Sequence, residues 1–207
     1  MEGSLGLRRA QGRLLVRPSA RTIRWASFAV IAAADALIVW TGTRKEGNPA
    51  TVALPVATTL LCVWLCFLFE DLAAETTAAS ATPLLFRRAV RAAMAVPAVV
   101  AVWFASTWIG PLSGPTAAMA GAFGAGIALS LAAAAVVERL AGPGRSGMGA
   151  AGIVVFVLIV APVAFGRPPS VDPALPPLGD PITYWSAVAI ASCAVLALVH
   201  LDRFQRP

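Results

Sequence analysis

Apolar residues gather into six long runs, separated by shorter polar stretches. The runs cover approximately residues 23–40, 52–69, 92–109, 116–137, 148–165 and 182–201. Each approaches the ~20 residues a helix needs to cross ~30 Å of hydrocarbon. Lipid offers no partner to backbone N–H and C=O groups, so spanning segments must be helices or closed barrels. The alternating pattern of barrel strands does not occur in these runs. The expected fold class is therefore all-α and integral to a membrane: six transmembrane helices in a single domain, residues 1–207.

The polar stretches differ in character. Residues 1–20 are basic, with Leu7, Ala10 and Leu14 at helical spacing and Arg9, Arg13 and Arg17 on another face. Two readings stand: an amphipathic helix lying in the membrane interface, its arginines snorkelling to phosphates, or a disordered basic tail. Residues 70–91, EDLAAETTAASATPLLFRRAVR, run from acids (Glu70, Asp71, Glu75) to bases (Arg87, Arg88, Arg91). This segment is longer than a simple turn between helices requires. Thr82-Pro83 is a plausible helix start, with Thr as cap and Pro in the first turn. Leu84, Leu85 and Phe86 would then lie at the interface, with Arg87, Arg88 and Arg91 reaching phosphates. The segment is either a short helix on which a soluble partner pushes, or a solvated loop that only fixes topology. Residues 138–147 read as a Gly-rich turn offering flexibility. Residues 166–181 contain six prolines and read as extended or partly re-entrant.

Composition supports the bilayer. The chain is 58% hydrophobic and only 13% charged, against roughly 25% charged in soluble domains. Its +6 net charge does not point to nucleic acid, because the bases sit at the ends of apolar runs. Placing the N-terminus inside puts Arg8, Arg9, Arg13, Arg17, Arg21, Arg24, Arg87, Arg88, Arg91, Arg139, Arg145, Arg203 and Arg206 on the inner side. Only Arg44, Lys45 and Arg167 are left outside. The positive-inside rule then predicts both termini in the cytoplasm. Trp25, Trp40, Trp103, Trp108, Tyr184 and Trp185 are expected as interfacial anchors. The first run lacks an Ala-x-Ala-like end, so no cleavable signal is expected. Cys62, Cys66 and Cys193 lie within apolar runs and read as small hydrophobes.

Asp35 is the sharpest single residue. It lies mid-way along the first run among alanines, where an acid is costly and faces a partner, water or a pathway. It reads as a cavity-lining or proton-coupled position, or as an acid kept neutral or paired with a polar group of another helix. No Arg, Lys or His is expected at its depth. Pro55, Pro97 and Pro162 fall inside expected helices and can kink them. Ala117, Gly121 and Ala125, with Ala118, Ala122 and Gly126, make a close-packing face on the fourth helix, either within the bundle or towards another subunit.

Enzyme readings find little support. No P-loop is present, and one His with three scattered Cys cannot form a zinc site. His200 and Ser113 belong to opposite membrane faces, ruling out a nucleophilic pair. Glu70, Asp71 and Glu75 are the one acidic cluster and would make a weak Mg²⁺ site.

Six membrane helices, an interfacial N-terminal segment and the inner 70–91 loop resemble a permease of the type-2 ATP-binding-cassette transporter superfamily. The loop's Glu70-Asp71-Leu72, Ala81-Thr82-Pro83 and Arg87-Arg88 are similar to those of small permease-like proteins of high-GC Gram-positive bacteria. Those often have Pro after the acidic pair, where this chain has Leu72. The specific match covers about twenty residues; the architecture covers the whole chain. The resemblance implies a coupling helix that docks on an ATPase through Leu72, Glu75, Thr76 and Thr77, within a loop bounded by Glu70, Asp71, Arg87 and Arg88. It implies separate ATPase subunits carrying ATP and Mg²⁺, a second permease subunit of the same or different kind, no cofactor in this chain, and a bacterial plasma membrane. The expected function is a permease subunit, an exporter. The alternatives are a non-catalytic scaffold subunit of a membrane complex or a small membrane enzyme on the acidic cluster.

Overall fold

The computed structural model describes residues 23–42, 50–69, 84–108, 117–142, 146–160 and 181–201. Among them, helix is the only regular structure. Helix α1 is Trp25–Gly42 and α2 is Ala50–Cys66, prolonged by a 3₁₀ turn, Phe67–Phe69. Helix α3 is Leu84–Ser106, α4 is Ala117–Ala141 and α6 is Pro181–Leu201. Helix α5, Ser146–Val155, widens into a π-helical turn, Phe156–Val160. Pro162 follows in the sequence and has no N–H to give the carbonyl four residues back, which favours such widening. Pro55 and Pro97 lie inside α2 and α3, and neither ends its helix.

Each apolar run thus contains a helix. Trp25–Gly42, Arg88–Ser106 and Met119–Ala141 are long and apolar enough to cross a membrane. Ala53–Cys66, Gly147–Val160 and Tyr184–Val199 are shorter apolar helical stretches. The chain is read as a helical membrane protein. The interfacial helix expected over residues 1–20 and the proline-rich 166–180 lie outside the described residues.

Helix α4 is the hub, packing along α6, α5 and α2, while α1 lies along α2. The reason is its run of small side chains. A methyl group placed on Gly126 would lie 2.7 Å from Cys62 Sγ of α2. On Gly121 it would lie 4.0 Å from Trp185 Cβ of α6. Ala125, Ala133 and Ala134 are buried in the same core as Leu61, Leu65, Val99 and Val154. The small-residue face of α4 is therefore used within the bundle at Gly126 and Ala125.

Two expectations change at this level. The turn after α4 is tighter than the sequence implied. Gly142 caps the helix with φ of 87° and donates to the Glu138 carbonyl at 2.9 Å, the backbone sign that favours glycine. Helix α5 already starts at Ser146, and Gly149 faces Val137, whose Cγ1 would lie 2.9 Å from an added methyl. Gly142 thus serves as a helix cap and Gly149 serves close packing, so neither is there only for flexibility. Trp103 and Trp185 are buried rather than interfacial, whereas Trp25, Trp40, Trp108 and Tyr184 are exposed as anchors should be.

Candidate functional site

Helix α3 carries one buried stripe, Arg88, Arg91, Ala95, Val99, Trp103 and Ser106. The spacing of three and four keeps these residues on a single helical face. The stripe is apolar in the middle and polar at both ends, and each end meets an ionisable group of another helix.

At the end where α3 stops, Ser106 Oγ donates to Asp35 Oδ2 of α1. Asp35 is 1% and Ser106 2% exposed. Helix α1 buries only Asp35 and Val39 of its eighteen residues. These lie one turn apart on the face that also packs Phe28 and Ile31 against the core, so the helix turns its acid inward. Val39 packs with Leu54 and Ala57 of α2, which holds that orientation. Asp35 Oδ1 is buried and has no hydrogen-bond partner among the described residues. One turn before Ser106, Trp103 Nε1 donates to Thr58 Oγ1 of α2 at 3.2 Å. The Trp103 ring stacks on Phe123 of α4 with centroids 4.5 Å apart. Thr107 is fully buried, and its hydroxyl donates to the Phe104 carbonyl at 2.7 Å. The acid read as mid-helix therefore sits level with the last residue of α3, with α1 continuing seven residues beyond it. Its contact is an intrachain serine.

At the other end, Arg88 pairs with Glu138 of α4. Both are buried, as is Arg91, one turn along α3. This corrects the expectation that Arg88 and Arg91 reach lipid phosphates. It also moves Glu138 from the inner turn into α4. A buried ion pair contributes little net stability against an apolar pair of the same volume, but losing one partner leaves an uncompensated charge. The pair thus fixes where α3 sits more than how strongly it is held.

Of the other expected site residues, Glu70, Asp71, Leu72, Glu75, Thr76 and Thr77 lie outside the described residues. Arg87 is in the first turn of α3. Sequence reasoning missed Ser106, Glu138, Thr58 and the role of Trp103. A signal for the first two existed: opposite or complementary polar groups fall at matching ends of apolar runs. They are 71 and 50 residues from their partners, and nothing local links such distant positions.

The two cysteines of α2 are a packing feature. Cys62 and Cys66 are buried and unlinked. Cys66 Sγ donates to the Cys62 carbonyl at 3.6 Å, and Ser130 Oγ donates to the Gly126 carbonyl at 2.8 Å. No family model, curated protein or solved structure matches the chain.

Proposed function

We propose that this chain is a permease subunit of a type-2-like ATP-binding-cassette transporter, an exporter, worked by separate ATPase subunits. In this reading six helices cross a bacterial plasma membrane with both termini in the cytoplasm. The observation that carries it is α3. It begins at Leu84, directly after the 70–83 segment, and runs unbroken to Ser106 beside the Asp35 carboxylate. It makes few close backbone approaches to its neighbours and is tied to them by polar side chains at both ends. A rod held in this way transmits displacement along its length. An ATPase gripping Glu70, Asp71, Leu72, Glu75, Thr76 and Thr77 would shift α3 through its Arg87 end, first loading the Arg88–Glu138 pair. A second permease subunit would complete the pathway, and ATP and Mg²⁺ would reside in the ATPase.

The test is reconstitution with the ATPase that co-purifies with this chain. Glu75→Lys should uncouple ATP hydrolysis from transport while the bundle keeps its melting temperature. A cysteine at Thr76, in a Cys193→Ser background, should react with an impermeant maleimide only after the cells are opened. Labelling in intact cells, or full coupling in the Glu75 variant, would sink the proposal.

A further inference from the structure

We infer that the Asp35 carboxyl group is a proton-binding site at the buried end of α3. This goes beyond the ATPase reading and does not depend on it. The acid is the one buried polar group of α1. Ser106 satisfies one oxygen, and the other, also buried, receives no hydrogen bond from any described residue. The last turn of α3 lies against it, and a helix C-terminus carries about half a negative charge. A carboxylate and a helix C-terminus together call for a positive charge.

The described neighbours supply none. From α2 comes Thr58, which accepts from Trp103. From α3 come Ser106 and Thr107, the latter donating to its own helix. Helices α1 and α2 hold no other charged residue or histidine. The thiols of α2, Cys62 and Cys66, stand one and two turns beyond Thr58 in the sequence, and Cys62 packs on Gly126. On α3 the nearest base is Arg91, fifteen residues from Ser106, or about 22 Å along the helix at ~1.5 Å per residue. Glu138 and Arg139 of α4 belong to that same far end. An alkali ion would need several oxygens, whereas the side chains supply one carboxylate and one hydroxyl, and the Trp103, Phe104 and Ala105 carbonyls of the last turn already accept hydrogen bonds. A proton needs only the open Oδ1.

The experiment is infrared difference spectroscopy of the full chain in lipid nanodiscs between pH 5 and pH 9, with sodium or choline as the only cation. The expected result is a protonated-carboxyl stretch at neutral pH. It should be lost in Asp35→Asn and shifted in Ser106→Ala, which removes the hydrogen bond but keeps the acid. The Ser106 variant carries the test if Asp35→Asn does not fold. Three results would overturn the proposal. One is an Asp35 ionised across the whole range. Another is a pH response that moves when sodium replaces choline, marking a metal-ion site. The third is a band that appears only after Arg44→Gln with Lys45→Gln, marking an ion pair with a loop base.

Discussion

The two sides of this bundle are held by different means. On one side α4 meets α2 and α6 through glycine and alanine, close enough that an added methyl on Gly126 would collide with Cys62. On the other, α3 stands off and is joined by Arg88 to Glu138, Trp103 to Thr58 and Phe123, and Ser106 to Asp35. Lipid tails are as apolar as side chains, so burial alone does not draw membrane helices together. Close van der Waals fit can, and so can polar contacts. The fit is unforgiving of distance and tends to one geometry. The polar clasps can be broken and replaced by water or another partner, so α3 is the element suited to move.

The comparison can be broken most severely at the ion pair. Arg88→Met or Glu138→Leu alone leaves a buried charge and should cost about 3–5 kcal/mol. The double variant should recover most of the loss, because an apolar pair of similar volume is near neutral. Unfolding of the purified chain in mixed micelles measures both. If the single variants unfold like the wild type, Arg88 and Glu138 are solvated and the clasp does not exist.

Next comes the close-packed seam. Gly126→Ala should cost about 1–3 kcal/mol, the usual penalty for overfilling a packed site. Cys62→Ala in the same chain should restore much of it by removing the sulfur in the way. Failure of the second change to rescue the first would show that α4 and α2 are separated at this point. Gly149→Ala should behave similarly, with Val137→Ala as its rescue; comparing the melting temperatures of the four variants checks both pairs together.

The smallest effect sharpens the contrast. Trp103→Phe keeps an aromatic ring for Phe123 but loses the bond to Thr58. Hydrogen bonds between membrane helices average about 0.6 kcal/mol, so the variant should lose roughly that much. A double-mutant cycle with Thr58→Val isolates the coupling. A coupling near zero would mean that Trp103 holds α3 by stacking alone.

Much of the architecture was legible, because a helix in lipid must be apolar along its whole length. The last run, 182–201, and the observed Pro181–Leu201 differ by one residue. The apolar part of the third run begins at residue 92, whereas α3 begins at Leu84, directly after the helix-start signal expected at Thr82-Pro83. Arg87, Arg88 and Arg91 lowered its apparent hydropathy, and a buried arginine has the same letter as one that fixes topology. The glycines around this turn are similarly ambiguous. Gly149, just past it in α5, lets Val137 approach, but composition alone suggests only freedom of the backbone.

The sequence by itself determined that the chain is helical and suited to a bilayer, where its helices run, and that Asp35 is out of place in lipid. Run length and apolar content carry that information, since they report contact with solvent one residue at a time. Only the tertiary structure decided that Asp35 meets Ser106, that Arg88 meets Glu138, and that one stripe of α3 makes both contacts. Those pairings depend on which helices are neighbours and how each is rotated about its axis. Such choices follow from packing over the whole bundle, and no single segment encodes them.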